Sequence, residues 1–190
     1  MNLVIDEALS LLFGILADKT MSVPAEVLTS LSTVFTALAS THLDSTIRQL
    51  NLLLLSSTLS RHSSAPKLEL LLRLTTHEEF PQIRGPAVGL VKEAVLEALA
   101  LPTDHVSPNP FASPELFRMF GGVLFRPNPL EFFSERKTRE ELAVSLELLR
   151  IADCLSFYYV LLQRDRDNKV RLVAAVLTFS HLTPCFQRRE

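Results

Sequence analysis

The sequence predicts an all-α protein, a HEAT- or armadillo-like stack of antiparallel helices, in effect a fragment of an α-solenoid. Three observations carry that prediction. Apolar residues recur at steps of three and four through most of the 190 residues. No segment shows β-branched alternation, and the hairpin dipeptides Asn-Gly and Asp-Gly are absent. Short linkers rich in Ser, Thr and Pro separate the periodic segments, the succession expected of stacked helix–turn–helix units. The unit length is irregular, so the prediction rests on helix succession and not on a repeated motif.

The first helix covers about residues 2–17. Leu3, Leu9, Leu12 and Leu16 share one face, while Val4, Leu11 and Ile15 lie on another. Two apolar faces on one terminal helix predict that one stays exposed or pairs with another chain, which would allow self-association. Val27, Leu31, Val34 and Leu38 mark a second helix, with Pro24 suited to its first turn, where the missing N–H costs nothing. Ile47, Leu50, Leu54 and Leu59 mark a third. Leu68, Leu71, Leu72 and Leu74 mark a fourth, with Ser64 as its cap and Pro66 in its first turn. Val88, Val91, Val95 and Leu99 mark a fifth. The stretch "PTDHVSPNPFAS", 102–113, is Pro-rich and aperiodic. It reads as a long loop between an N-terminal helical stack, 1–101, and a C-terminal helical group, 114–168. Ser113-Pro114-Glu115 opens a short helix that ends near Gly121-Gly122.

The longest helix is predicted from about Arg139 to Arg164. Val144, Leu148, Ile151, Leu155, Tyr158 and Leu162 form one stripe on it; Leu142, Leu146, Leu149 and Ala152 form another. So wide an apolar surface needs neighbours on two sides. A charge at Leu155, central in the longer stripe, should unfold the C-terminal group. Residues 169–190 form a tail, and its "VRLVAAVLTFSHL" is apolar enough to be helical.

Composition narrows the function. Hydrophobic residues make up 47% and charged residues 21%, enough for a sizeable core. A net charge of −2 argues against nucleic-acid binding, and the basic clusters at 61–67, 164–171 and 188–189 are short or interleaved with acids. Asp6 and Glu7 interrupt the apolar N-terminus, which also lacks a positive start; neither a signal peptide nor a membrane span is expected. The two cysteines, Cys154 and Cys185, show neither metal spacing nor a disulfide framework. Cys154 reads as a small buried hydrophobe. A reducing compartment fits, cytoplasmic, with a nuclear pool also compatible.

No motif carries a catalytic, cofactor or metal assignment. His77-Glu78-Glu79 resembles the start of a zinc-protease motif, but position 81, where the second His should stand, is Pro. The histidines at 42, 62, 77, 105 and 181 have no ligand spacing. Gly121-Gly122 lacks the Lys-Ser/Thr of a phosphate loop. Glu140 and Glu141 suit the positive end of a helix. Asp153, the one acid within the long helix's apolar stretch, looks outward or pairs with Arg150. In "QRDRDN", 163–168, successive side chains point about 100° apart, so they cannot converge on one substrate atom. That segment reads as a helix end and a protein-contact surface, with Tyr159, Arg164, Asp165, Arg166 and Asp167 as candidate contact residues and Tyr158 facing the core.

Three segments carry a resemblance: "FPQIRGPAVGLVKEAVLEAL", 80–99; "NPFASPELFRMFGGVLFRPNPLEFF", 109–133; and "CLSFYYVLLQRDRDN", 154–168. In order and spacing, over roughly 75–168, they resemble the fungal YAP-binding and glomulin family, which includes the plant aberrant-lateral-root-formation proteins. The resemblance implies an all-helical, HEAT-like protein without catalytic activity. By the same resemblance its partner would be an oxidative-stress bZIP transcription factor or the RING subunit of a cullin ubiquitin ligase. Family members are usually longer, so this chain would be a C-terminal portion, and the tail after Asn168 departs from the family's pattern. The competing expectations are a small enzyme whose site forms only in three dimensions, marked by a pocket with converging titratable groups, and an adaptor subunit of a larger assembly.

Overall fold

Three of the helices begin where a side chain satisfies a free backbone N–H, at Asp44, Thr138 and Ser145. The computed structural model describes residues 3–18, 20–101, 109–133 and 136–171, which hold eight α-helices, three short 3-10 turns and no strand. α1 spans Leu3–Ala17 and α2 Ala25–Thr41; Pro24 stands one residue before α2, at its cap position. α3, Ser45–Ser60, is capped by Asp44, whose carboxylate accepts from the Thr46 N–H at 2.8 Å. α4, Ser64–Thr75, has Ser63 at its cap, so Ser64 is its first residue. α5, Arg84–Ala100, continues from the 3-10 turn Pro81–Ile83. Another 3-10 turn, Pro110–Ala112, capped by Asn109, occupies the end of the expected loop. α6, Glu115–Leu124, runs through both glycines.

The expected helix from Arg139 to Arg164 is two helices. α7, Arg139–Ala143, opens with a capping box of Thr138 and Glu141, and α8 is Leu146–Arg164. Ser145 makes the break. Its N–H donates to the Leu142 carbonyl at 3.2 Å, closing α7, while its hydroxyl accepts from the Leu148 N–H at 3.3 Å, opening α8.

α2 packs along α3, and the three residues between them make the pair antiparallel; α1 lies on α3. The Arg61 guanidinium ties these layers together by donating to the carbonyls of Leu16 at 3.1 Å, Asp18 at 2.9 Å and Met21. α5 is the shared wall, packing against α3, α4 and α8. Its buried residues, Ala87, Val88, Leu90, Val91, Ala94, Val95 and Ala98, span an arc of about 160°, wide enough to meet more than one neighbour. Phe111, Leu116, Phe117 and Phe120 continue the core toward Cys154, Phe157 and Leu161 of α8. The arrangement is a helical stack of the solenoid kind.

The predicted faces hold in α3, α4 and α5, where Ile47, Leu54, Leu59, Leu71, Leu74, Val88, Val91 and Val95 are buried. In α1, Leu9 and Leu16 are buried, Ile15 is half-buried and Leu11 is 66% exposed, so part of its apolar surface is open. In α2 the face is different. Val27 and Val34 are exposed, and Leu28, Phe35 and Ala39 point inward together with Ser32, Thr36 and Ser40. Those three hydroxyls donate to carbonyls four residues earlier, at 2.7–2.8 Å, so they enter the core without an unmet hydrogen bond. In α8 the core line is Arg150, Cys154, Phe157 and Leu161. Leu155 is 64% exposed, Val144 and Leu162 are exposed, and so are Leu146 and Leu149 of the second stripe. The aspartate that would break this helix's packing therefore belongs at Leu161, not Leu155. An arginine within the core line is what hid it from a hydropathy count.

Candidate functional site

The charged segment closes α8 with a tightly bonded turn. Arg164 is the last helical residue, and the Asp165 N–H donates to the Leu161 carbonyl at 2.9 Å. The two Asp165 carboxylate oxygens accept from the N–H groups of Lys169 at 2.8 Å and Val170 at 3.0 Å. Asn168 supplies the left-handed backbone the turn needs, at φ 51°, a conformation Asn tolerates better than most residues. Val170 then re-enters the core, fully buried. Asp165 is thus the residue that sets the turn, with both oxygens committed to backbone amides. Arg164, Arg166 and Asp167 are exposed around it, and Tyr159, 62% exposed, stands about one and a half turns back along α8. Tyr158 lies against the core, edge-on to Phe125 at a ring separation of 6.2 Å.

At the other end of α8 stands an ion pair that sequence reasoning missed. Arg150 is 3% exposed. Its Nε and Nη2 donate to the Glu147 carboxylate at 2.8 and 2.6 Å, a bidentate pair one helical turn apart. Its Nη1 and Nη2 also donate to the carbonyls of Val123 at 2.6 Å and Arg126 at 2.8 Å, near and just past the end of α6. Glu147 accepts in addition from the Asn128 N–H at 2.7 Å. One charge pair therefore pins α8 to α6 and to the "LFRPNP" loop. The hydrogen bonds from Arg150 to Glu147 push the guanidinium pKa up despite burial. The available signal was the Glu-x-x-Arg spacing at 147–150. Asp153 is instead exposed and turned toward α5, where a side-chain carbon added at Gly85 would lie 3.1 Å from its Oδ2. Desolvation pushes the Asp153 carboxyl pKa up, with Lys92 opposing.

Two recesses flank α8. A polar groove of about 320 Å³ beside the ion pair is lined by residues including Thr75, Arg84, Gly122 and Arg126. An apolar cleft of about 140 Å³ lies between Phe125, Pro127, Phe133, Ile151, Leu155 and Tyr158. His77 is a turn residue: its Nδ1 accepts from the Phe80 N–H at 3.2 Å and its carbonyl from Arg84 Nε at 2.7 Å. Burial pushes the Cys154 thiol up to about 11, which fits its expected role as a buried hydrophobe. Cys185 lies outside the described residues. Among the described residues no three His, Cys, Asp or Glu side chains come together as a metal site, and no helix is long and apolar enough to cross a membrane.

A stack of helices sharing one core wall, with apolar and charged side chains left exposed on α8, defines an all-helical protein with solenoid-like packing. A family model described as an uncharacterised protein family, YAP/Alf4/glomulin, matches residues 6–180. The chain belongs to that family. The match takes in all three resembling segments, extends back into α1, and runs forward past Asn168 into the tail. No curated protein and no solved structure matches the chain.

Proposed function

We propose that this protein is a non-enzymatic scaffold that binds another protein through the C-terminal end of α8. Membership of the YAP/Alf4/glomulin family is the observation that carries this reading. The turn supports it: Asp165 holds the backbone, so Arg164, Arg166, Asp167 and Tyr159 are presented with little ordering left to do on binding. Exposed Tyr and Arg are residue types that anchor protein interfaces. The partner is an oxidative-stress bZIP transcription factor or the RING subunit of a cullin ligase, and either role is exercised in the cytoplasm or the nucleus. The test is direct binding of the purified chain to each candidate, with Arg164→Glu/Arg166→Glu alongside wild type. The expected result is capture of one candidate by wild type and weakened capture by the folded variant. Equal capture by both forms removes the segment from the interface, and capture of neither candidate overturns the partner assignment.

A further inference from the structure

The polar groove beside the Arg150–Glu147 pair holds more positive charge than the fold uses. Four charged side chains line it: Glu78, Arg84, Arg126 and Arg150. Every N–H of the Arg150 guanidinium is committed, to Glu147, to the Val123 and Arg126 carbonyls and to the Cys154 sulfur. Arg84 and Arg126 are different. Both are half-buried, and among the described residues neither meets a carboxylate within ion-pair distance. Arg84 gives its Nε to the His77 carbonyl at 2.7 Å and keeps both Nη groups free; the Arg126 guanidinium has no hydrogen bond among the described residues. Guanidiniums drawn partly out of water are ordinarily paired.

We propose that this groove binds a phosphate monoester, held between Arg84 and Arg126. Three observations select that ligand. The first is room: about 320 Å³ is at the lower end of the range of small-molecule sites. The second is placement. The Arg84 side chain is tied to the His77 carbonyl, and the backbone that carries Arg126 is tied through its own carbonyl to Arg150, so both guanidiniums stand on fixed supports and little ordering remains on binding. The third is valence. The Arg150–Glu147 pair shows that one guanidinium fork already occupies both oxygens of a carboxylate. A phosphate monoester has three acceptor oxygens and close to two negative charges at neutral pH, so it can accept from two forks at once. Glu78 opposes an anion, but it is exposed and solvent screens it more than it screens the half-buried arginines. The monoester is either a small phosphorylated molecule or a phosphorylated side chain of a partner, one chemistry from two sources. The groove lies by the first turns of α8, away from the charged segment that closes it, and the inference is independent of the partner-binding reading.

The experiment is a titration of the isotope-labelled full chain followed by amide NMR. The probes are inorganic phosphate, a capped Ala-phosphoserine-Ala tripeptide and its Ala-Glu-Ala analogue. Either phosphate probe should give saturable shifts at residues 75–84 and 122–128, and should bind about tenfold more tightly than Ala-Glu-Ala. Inorganic phosphate binding as well as the tripeptide assigns the groove to a small phosphorylated molecule; tighter binding of the tripeptide assigns it to a phosphorylated side chain. Arg126→Gln removes no hydrogen bond of the fold and should weaken binding by about tenfold or more. Gly122→Leu is the second variant. A Cβ there meets nothing within 4 Å, so α6 accepts the side chain while its bulk occupies the groove, and binding should be lost with the melting temperature unchanged. No saturable shift, shifts confined to other residues, equal affinity for Ala-Glu-Ala, or undiminished binding in either variant overturns the proposal.

Discussion

Arg150 shows how much one side chain can hold. Its guanidinium saturates Glu147 and two carbonyls at the α6 end, all away from water. Arg150→Met should lower stability by about 3–5 kcal/mol, because it leaves Glu147 buried without its partner; chemical denaturation measures this. Arg150→Lys should recover little, since a single ammonium cannot span a carboxylate and two carbonyls. If Arg150→Met melts with wild type, the pair holds nothing. Cys154 supplies a pH prediction. Its folded-state pKa of about 11 lies above the ordinary value of 9.0, so the folded chain keeps the thiol proton longer than the unfolded chain. Its contribution to stability is whole below pH 9 and is lost as pH rises toward 11. At pH 8, in a Cys185→Ser background, the native Cys154 thiol should resist alkylation and react once the chain is unfolded; fast labelling of native Cys154 would contradict its burial. The charge and partial burial of such residues can be guessed from sequence, but their partners cannot. Glu147 and Asp153 both stand three positions from Arg150, and only the approach of the 123–128 backbone decides between them.

Helices were legible as elements, and their faces less so. α3, α4 and α5 announce their inner sides because Leu, Ile and Val supply the large side chains there at helical spacing, although Asn51, Thr58, Lys67 and Thr75 are buried beside them. α2 and α8 do not, because Ser32, Thr36 and Ser40 in one and Arg150 in the other occupy inward positions that a hydropathy count assigns to solvent. The same blindness missed Ser145, whose two backbone bonds divide α7 from α8. The faces give a paired prediction. Leu161→Asp, at a position 1% exposed, should cost several kcal/mol and unfold the C-terminal helices. In α1, Leu11→Lys should leave the melting temperature unchanged and reduce binding of an apolar dye, whereas Leu9→Lys should release the helix. Equal effects at positions 9 and 11 would mean that both faces of α1 are covered.

α5 decides how the molecule behaves as a whole. It meets α3 and α4 on one side and α8 on another, so neither group of helices can leave without exposing Val91 and Val95. The chain should therefore unfold in one transition. It has no Trp, and both tyrosines lie on α8, so tyrosine fluorescence follows α8 alone while far-ultraviolet circular dichroism follows every helix. The two melting curves should coincide. A fluorescence change well separated from the loss of helix would restore the boundary suggested by the Pro-rich stretch 102–113. That stretch was visible from its prolines; the packing of α5 on α8 across it was not, because it joins residues some sixty positions apart.

The buried hydroxyls of α2 have one more consequence. Each of Ser32, Thr36 and Ser40 bonds a carbonyl of its own helix and asks nothing of the neighbour it touches. Such a position should accept alanine at modest cost, since the carbonyl that the hydroxyl meets belongs to the helix's own ladder and no group across the interface loses a partner. The spelling of this helix can drift over generations while its shape stays put. A lineage built on such walls keeps its architecture long after letter-by-letter likeness has faded.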